Sequence, residues 1–415
     1  MDWSNLGEGP AGMIAERLLA NDVADYVCFR AVCLPWRRCC MDPREHGILD
    51  RRFHPRRWIM LRGQLAHPHP DRPRRRLLNV STGQCVRTHL PELRGHEVCA
   101  PTVEGLLVLL NRTTYAVRLL NPLTRQVSDL PPATTLYPLH TAAGGCLYAT
   151  VANFMVSAAG LANDTTVAVL FNLFDMLAVA KPGDEQWTLV KQGIEVWPAI
   201  SFAGRFYVTT ASGIQMVDIR DNQPPGLVLA ATTPDWNERT DSRMLLDNDG
   251  ELLLLTETSR PRIPQVGFIN VYKVSRVDLD TGEMKPIRDL GGRAVFTGES
   301  YAFSVSPSAF PAIKKNSVYL NNRYVGDCLI FTGPYTFVDG TTISGTTEAC
   351  GFTNCIPQYG PHSIVDNLSQ YVKTKTLLRA DAEDDTSDSD AEDDTSDSDA
   401  EDDISDLDVE AKCII

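Results

Sequence analysis

Apolar positions along this chain follow two different periods. Between residues 10 and 42 they recur at helical spacing, with Met13, Ile14, Leu18 and Leu19 forming a stripe behind Pro10. Asp22 stands at an N-cap position with Asp25 three residues on, in the manner of a capping box. Val23, Tyr26, Val27 and Val32 continue a second helical period, which Pro35 interrupts before Trp36-Arg37-Arg38. From about residue 77 the pattern becomes one of short apolar runs punctuated by Gly, Pro, Asn and Asp. Gly105–Leu110 and Tyr115–Leu120 flank the polar turn Asn111–Thr114, which predicts a hairpin. Thr166–Phe171, Leu177–Ala180 and Trp187–Val190 form a further group, followed by Ile200–Thr210 with Ile214–Ile219. Arg243–Thr256 folds around Asp247–Gly250, and Val271–Asp278 runs into the turn Asp280–Gly282. Ser317–Leu320 and Cys328–Phe331 complete the series. Many short strands of even spacing argue for a sandwich, a barrel or a β-propeller; roughly 300 residues at about 45 per blade give about six blades. The expected fold is mainly β, with a small α-helical module ahead of the strands.

Four segments follow: a helical module over residues 1–42, a connector over 43–76, a β-propeller over 77–375 and a tail over 376–415. The helical module is too short to bury its own stripe, so that stripe needs another surface. The connector holds nine arginines between Arg51 and Arg76, and Pro68–Pro73 reads as a stiff exposed loop. Its basic run is best read as solvated, with a polyanion patch as the alternative.

Charge changes the picture only for the tail. The net charge is −14, but residues 381–410 carry 17 acids and no Lys or Arg, which leaves the remainder at +3. A near-neutral folded part gives no basic face, so nucleic acid is not an expected partner. No apolar run reaches the roughly 18 residues of a membrane span, and the acidic N-terminus lacks a signal-peptide core. Eleven cysteines without a regular framework fit reduced thiols in the cytoplasm or nucleus. Residues 382–390 and 391–399 are identical nonamers, and 400–408 is a near copy. No aromatic residue follows Tyr371, so the expectation is a disordered tail. Ser387, Ser389, Ser396, Ser398 and Ser405 each have an acid three residues on, a pattern suited to acidophilic kinases. One expectation has this tail folding back on the Arg51–Arg76 patch.

Asp22, then Val32-Cys33, then Trp36-Arg37 resemble the second half of an F-box, whose hallmark is an Asp, a Val-Cys and a Trp-Arg in that order. Upstream, Leu6-Gly7 stands where most F-boxes have Leu-Pro. Behind it the chain is similar to the plant F-box-associated β-propeller family first catalogued as domain of unknown function 295. That likeness rests on several pieces in order: Arg51–Trp58, Leu119–Arg125 with Leu130-Pro131-Pro132, Lys181–Asp184 with Trp187, Phe202–Tyr207, and Ser304–Ser306 with Phe310-Pro311.

The resemblance implies a substrate-recognition subunit of an SCF-type ubiquitin ligase. Its F-box would dock on a Skp-type adaptor, and through it a cullin, while the propeller holds a protein target of unknown identity. The implied adaptor-facing set is Pro10, Met13, Ile14, Leu18, Leu19, Val23, Phe29, Val32, Cys33 and Trp36. The alternative is a protein-binding propeller whose degenerate F-box no longer recruits the ligase.

Catalytic patterns are sparse. There is no P-loop, no Gly-x-Ser-x-Gly elbow and no His-Glu-x-x-His. Cys33, Cys39, Cys40, His46 and His54 lack the paired spacing of structural zinc sites. Asp247-Asn248-Asp249-Gly250 starts like a calcium loop but lacks its distal ligands, so a hairpin turn explains it better. The expectation is a non-catalytic protein with no cofactor and no metal.

Overall fold

A computed structural model describes residues 7–61, 74–136, 156–171, 176–193, 197–232, 242–261, 268–297, 302–310 and 313–320, with short pieces between 324 and 342. The acidic repeats with their five serines and the Pro68–Pro73 stretch lie outside the described residues.

Three helices open the chain: α1 (Glu8–Asn21), α2 (Val23–Val32) and α3 (Leu34–Arg38). Six sheets follow. Blade 1 is β1 (Trp58–Leu61), β2 (Arg74–Asn79) and β3 (Cys85–His89). Blade 2 is β4 (Glu97–Pro101), β5 (Leu107–Leu110), β6 (Val117–Leu120) and β7 (Val127–Leu130). Blade 3 is β8 (Val156–Leu161), β9 (Val167–Phe171), β10 (Met176–Ala180) and β11 (Thr188–Lys191). Blade 4 is β12 (Trp197–Phe202), β13 (Arg205–Thr210), β14 (Gly213–Asp218) and β15 (Gly226–Ala231). Blade 5 is β16 (Ser242–Asp247), β17 (Leu252–Pro261), β18 (Phe268–Asp278) and β19 (Glu283–Pro286).

Blade 6 is a mixed sheet of β20 (Ala294–Thr297), β21 (Ala302–Val305), β22 (Ser317–Leu320), β25 (Thr332–Val338) and β26 (Thr341–Thr342), in which β20 and β22 run parallel. A small hairpin, β23 (Tyr324–Val325) with β24 (Cys328–Leu329), stands apart from it.

The sheets form a six-bladed propeller, and strand alternation closes it. Successive side chains point to opposite faces of a sheet, so a strand buried on both sides serves two interfaces. In β5, Val108 and Leu110 pack toward blade 3, while Leu107 and Leu109 pack toward blade 1. In β9, Val169 and Phe171 face blade 2, and Ala168 and Leu170 face blade 4. In β17, Leu252 and Leu254 face blade 4, and Leu253 and Leu255 face blade 6. The ring shuts where Ile59, Leu61 and Leu78 of blade 1 meet Phe296, Phe303 and Tyr319 of blade 6. This explains the near-continuous apolar runs: both faces of each central strand are core.

Two local readings change. Ile200–Thr210 is two strands, because Ala203-Gly204 turns the chain between β12 and β13. The stretch read as a connector contributes β1, and β2 begins inside it at Arg74. Propeller structure therefore starts at Trp58.

Candidate functional site

The helical module owes its shape to one capping residue and one aromatic pair. Asp22 leaves α1 in an extended conformation and caps α2, its Oδ1 accepting from the Ala24 N–H at 2.8 Å. Phe29 of α2 stacks on Trp36 of α3 with ring centroids 4.4 Å apart. Ala11, Ala15 and Leu19 of α1 bury against Val23, Tyr26 and Phe29 of α2, and Phe53 closes the cluster. Arg30 ties the end of α3 to α2, donating to the carbonyls of Cys40 and Met41 and pairing with Asp42 at 3.0 Å. The Tyr26 hydroxyl donates to the Met41 carbonyl at 2.7 Å, and burial raises its pKa above the usual range. Cys39 and Cys40 donate to the Pro35 and Trp36 carbonyls. Among the described residues, no group of three His, Cys, Asp or Glu converges to hold a metal ion.

The module is seated on the ring through the same Asp22. Its carboxylate accepts from the Trp58 indole N–H at 2.9 and 3.1 Å, and from Asn79 Nδ2 at 2.7 Å. Trp58 and Asn79 belong to β1 and β2 and are both buried. Ala24 packs beside them on Trp58 and Leu77. Blade 2 supplies the second anchor. Asn121, fully buried, donates to the Phe53 carbonyl at 2.8 Å while its Oδ1 accepts from the Leu123 and Thr124 N–H groups. Gln126 donates to the carbonyls of Pro43 and His46.

From residue 47 to residue 57 the chain crosses the end of the ring where the first turns of blades 2 to 5 lie. Arg51 pairs with Asp164 in the β8–β9 turn and lies over Gly204 in the β12–β13 turn. Pro55 lies directly on Gly105 in the β4–β5 turn. Arg57 reaches Asp249 in the β16–β17 turn at 3.7 Å, and Arg293 approaches the same carboxylate at 3.5 Å. Arg52 engages Asp50 at 2.6 Å. Three arginines of the basic run, Arg51, Arg52 and Arg57, are thus paired with acids of the fold; the tail expected to fold back on that run lies outside the described residues.

His54 is buried within this crossing segment. Burial first, and then the nearby Arg56 cation, lowers its pKa to about 4. Above the ordinary value of 6.5 the ring is neutral in both folded and unfolded chains. As pH falls from 6.5 to about 4, the unfolded chain takes up a proton that the fold refuses, so stability drops across that window. The expected loss approaches about 3 kcal/mol at pH 4. Denaturant midpoints at pH 7 and pH 4.5 should differ by less in His54→Leu than in the native chain. Equal differences would contradict this role for His54.

The ten positions implied as adaptor-facing separate into three groups. Pro10, Met13 (62 %), Ile14 (39 %) and Val32 (62 %) are exposed. Leu18, Cys33 and Trp36 are half-buried. Leu19, Val23 and Phe29 are buried inside the module and do not face outward; a three-helix unit this small needs them for its own core. Leu34, 56 % exposed at the start of α3, was not foreseen, although its place beside Val32 and Pro35 was the available signal. Among the described residues, eight large apolar side chains are exposed, and five of them lie between Met13 and Met41. Among the described residues, the module thus carries more of the exposed large apolar side chains than the ring does.

Fold and site together define a six-bladed β-propeller carrying a fixed N-terminal helical module with an outward apolar face. Residues 77–346 match the model of the KIB1-4 beta-propeller family, and the chain belongs to that family. It is also 28% identical over 164 residues to the F-box/kelch-repeat protein At1g64840 of Arabidopsis thaliana. That match covers 37% of this chain and 41% of the relative, so the chain spans about two fifths of the relative's length. Among solved structures it is similar to a streptogramin B lyase, at 10% identity and a TM-score of 0.29, covering 59% of this chain and 69% of that one. It is also similar to the Cps50 (Swd1) beta-propeller domain of Myceliophteria thermophila, at 11% identity and a TM-score of 0.32, covering 69% and 87%.

Proposed function

We propose that this protein is a non-catalytic substrate-recognition subunit of an SCF-type ubiquitin ligase. The helical module docks on a Skp-type adaptor, which brings a cullin, and the propeller holds a protein target. The observation that carries this reading is the outward apolar face of a module anchored to the ring by Asp22, Asn121 and Gln126. A relative named as an F-box protein supports it, as does the order of pieces resembling the domain of unknown function 295 proteins. A ligase subunit of this kind would act in the cytoplasm or nucleus.

The docking surface in this reading is Met13 and Ile14 on α1 with Val32 and Leu34 at the α2–α3 junction. Met13→Asp with Ile14→Asp should remove co-purification of the adaptor and cullin with the full chain. Both side chains are exposed, so stability should change by no more than about 0.5 kcal/mol per site. Co-purification that survives the double substitution would sink this assignment of the surface.

One observation keeps a second reading in play. Gly7 sits at the N-cap of α1 with φ +80° and offers no side-chain cap, where an F-box ordinarily begins Leu-Pro. An uncapped start weakens the first turn of α1, just ahead of Met13. In that reading the module is a degenerate F-box and the propeller binds its target without the ligase. A native chain that captures neither adaptor nor cullin would favour it.

A further inference from the structure

The outer strand of each blade is a sheet edge, which turns a row of backbone donors and acceptors outward. Protein chains ordinarily guard such edges with charge or proline. Blades 1, 2, 3 and 5 follow that rule, with Arg87 in β3, Asp129 in β7, Lys191 in β11, and Glu283, Lys285 and Pro286 in β19. Blade 4 does not. Its outer strand β15 reads Gly-Leu-Val-Leu-Ala-Ala, without charge or proline. Val228 is 42 % exposed and Leu229 50 %. Consecutive strand residues face opposite sides, so apolar surface is open on both faces of this edge. On its inner side β15 pairs with β14; among the described residues, no strand pairs with its outer side. Its far end is covered, because Thr232 N–H donates to the Gly282 carbonyl of blade 5 at 3.1 Å and Gly282 packs on Ala230 and Ala231. Among the described residues, the stretch of β15 left without an outer partner is therefore Gly226–Leu229.

We propose that this edge of β15 is where the propeller takes its target, by strand addition of an extended, uncharged, apolar segment. This deepens the reading of the propeller as the target-holding part and rests on it. Main-chain groups at ladder spacing are matched only by another extended backbone, which makes the partner a strand. A charged side chain laid over Val228 or Leu229 would lose hydration and find no counter-charge on the strand, which makes the segment uncharged. A second copy of this chain is the poorer occupant. An open stretch of four residues buries far less than the roughly 1,200 Å² at the lower end of stable interfaces. A short target segment held transiently needs only modest affinity.

The test uses the full chain and a displayed library of peptides about twelve residues long, so that each can span the edge. Selected peptides are resynthesised and titrated by fluorescence anisotropy against three proteins: native, Val228→Lys with Leu229→Lys, and Val228→Thr with Leu229→Thr. The threonine pair keeps strand preference without adding charge, and it covers the case in which the lysines disturb folding. Selection should enrich uncharged, β-branched centres. The lysine pair should bind roughly tenfold or more weakly, with the threonine pair between it and the native chain. Bound peptide should slow amide exchange at residues 226–229.

The proposal is overturned if no peptide is selected, if the selected peptides protect other segments, or if they bind the lysine pair as tightly as the native chain. Concentration-dependent dimerisation of the native chain that the lysine pair abolishes would assign the edge to a second copy instead. Adaptor capture should be the same in all three proteins. A native chain that binds peptide at β15 yet captures no adaptor would remove the ligase reading and leave this site standing.

Discussion

Asp22→Ala should destabilise the seat of the helical module by about 3 kcal/mol. Removing the cap of α2 accounts for about 1 kcal/mol of this. The rest comes from the ring side of the contact. Trp58 and Asn79 are buried, and each would keep a donor that has lost its acceptor, at about 1 kcal/mol or more apiece. Asp22→Asn should fall between the two, since its oxygen can still serve Ala24 and Trp58 while its amide faces the Asn79 amide. Denaturant unfolding followed by tryptophan fluorescence reads the effect, because Trp58 is itself the partner. A loss under about 1 kcal/mol for the alanine variant would show that packing of Ala24 and Phe53 holds the module without the carboxylate.

Gly105→Ala should cost as much or more, for a different reason. Gly105 has φ +83°, and a Cβ built there would stand 2.0 Å from the Pro55 carbonyl oxygen. The backbone conformation alone costs an alanine about 1 kcal/mol or more. The contact adds a further 1 to 3 kcal/mol, roughly, because backbone meets backbone and the crossing segment must lift. Gly183 provides the comparison: its φ is +88°, but nothing lies within 4 Å of its Cβ position. Gly183→Ala should therefore cost only the conformational part. Midpoints of denaturant unfolding for the two variants separate the contributions. Equal losses would mean that the crossing segment is not pressed onto blade 2.

Much of this architecture was legible from the period of the apolar positions. Two-sided burial makes strands such as β5, β9 and β17 read as continuous runs, and polar turns between them mark the hairpins. What the period could not show was which part of each motif faces what. The pieces that carried the family likeness turn out to be joints. Asn121 holds the crossing segment, Trp187 donates to the Pro131 carbonyl between blades 3 and 2, and Ser304 donates to Asn248 between blades 6 and 5. Gly204 leaves room for Arg51.

The helical module was harder to read for a related reason. Helical spacing identifies apolar stripes, but Leu19 shares the first with Met13 and Ile14, and Val23 and Phe29 share the second helix with Val32. Only the packing of α1 on α2 separates inner from outer positions. Likewise, nothing in the sequence placed β1 inside an arginine-rich connector, because four residues are too few to set a period.

In the function proposed, the outward face of the helical module grips a Skp-type adaptor while its buried side holds it to the ring. The most direct measurement is calorimetric titration of purified adaptor into the full chain, set against Met13→Asp with Ile14→Asp and against Asn121→Ala. Saturable binding to the native chain is expected, and its loss in the first variant with the unfolding temperature little changed. Asn121→Ala should retain binding but show lowered stability. No binding by the native chain, or binding unaffected by charges at Met13 and Ile14, would contradict the proposed function.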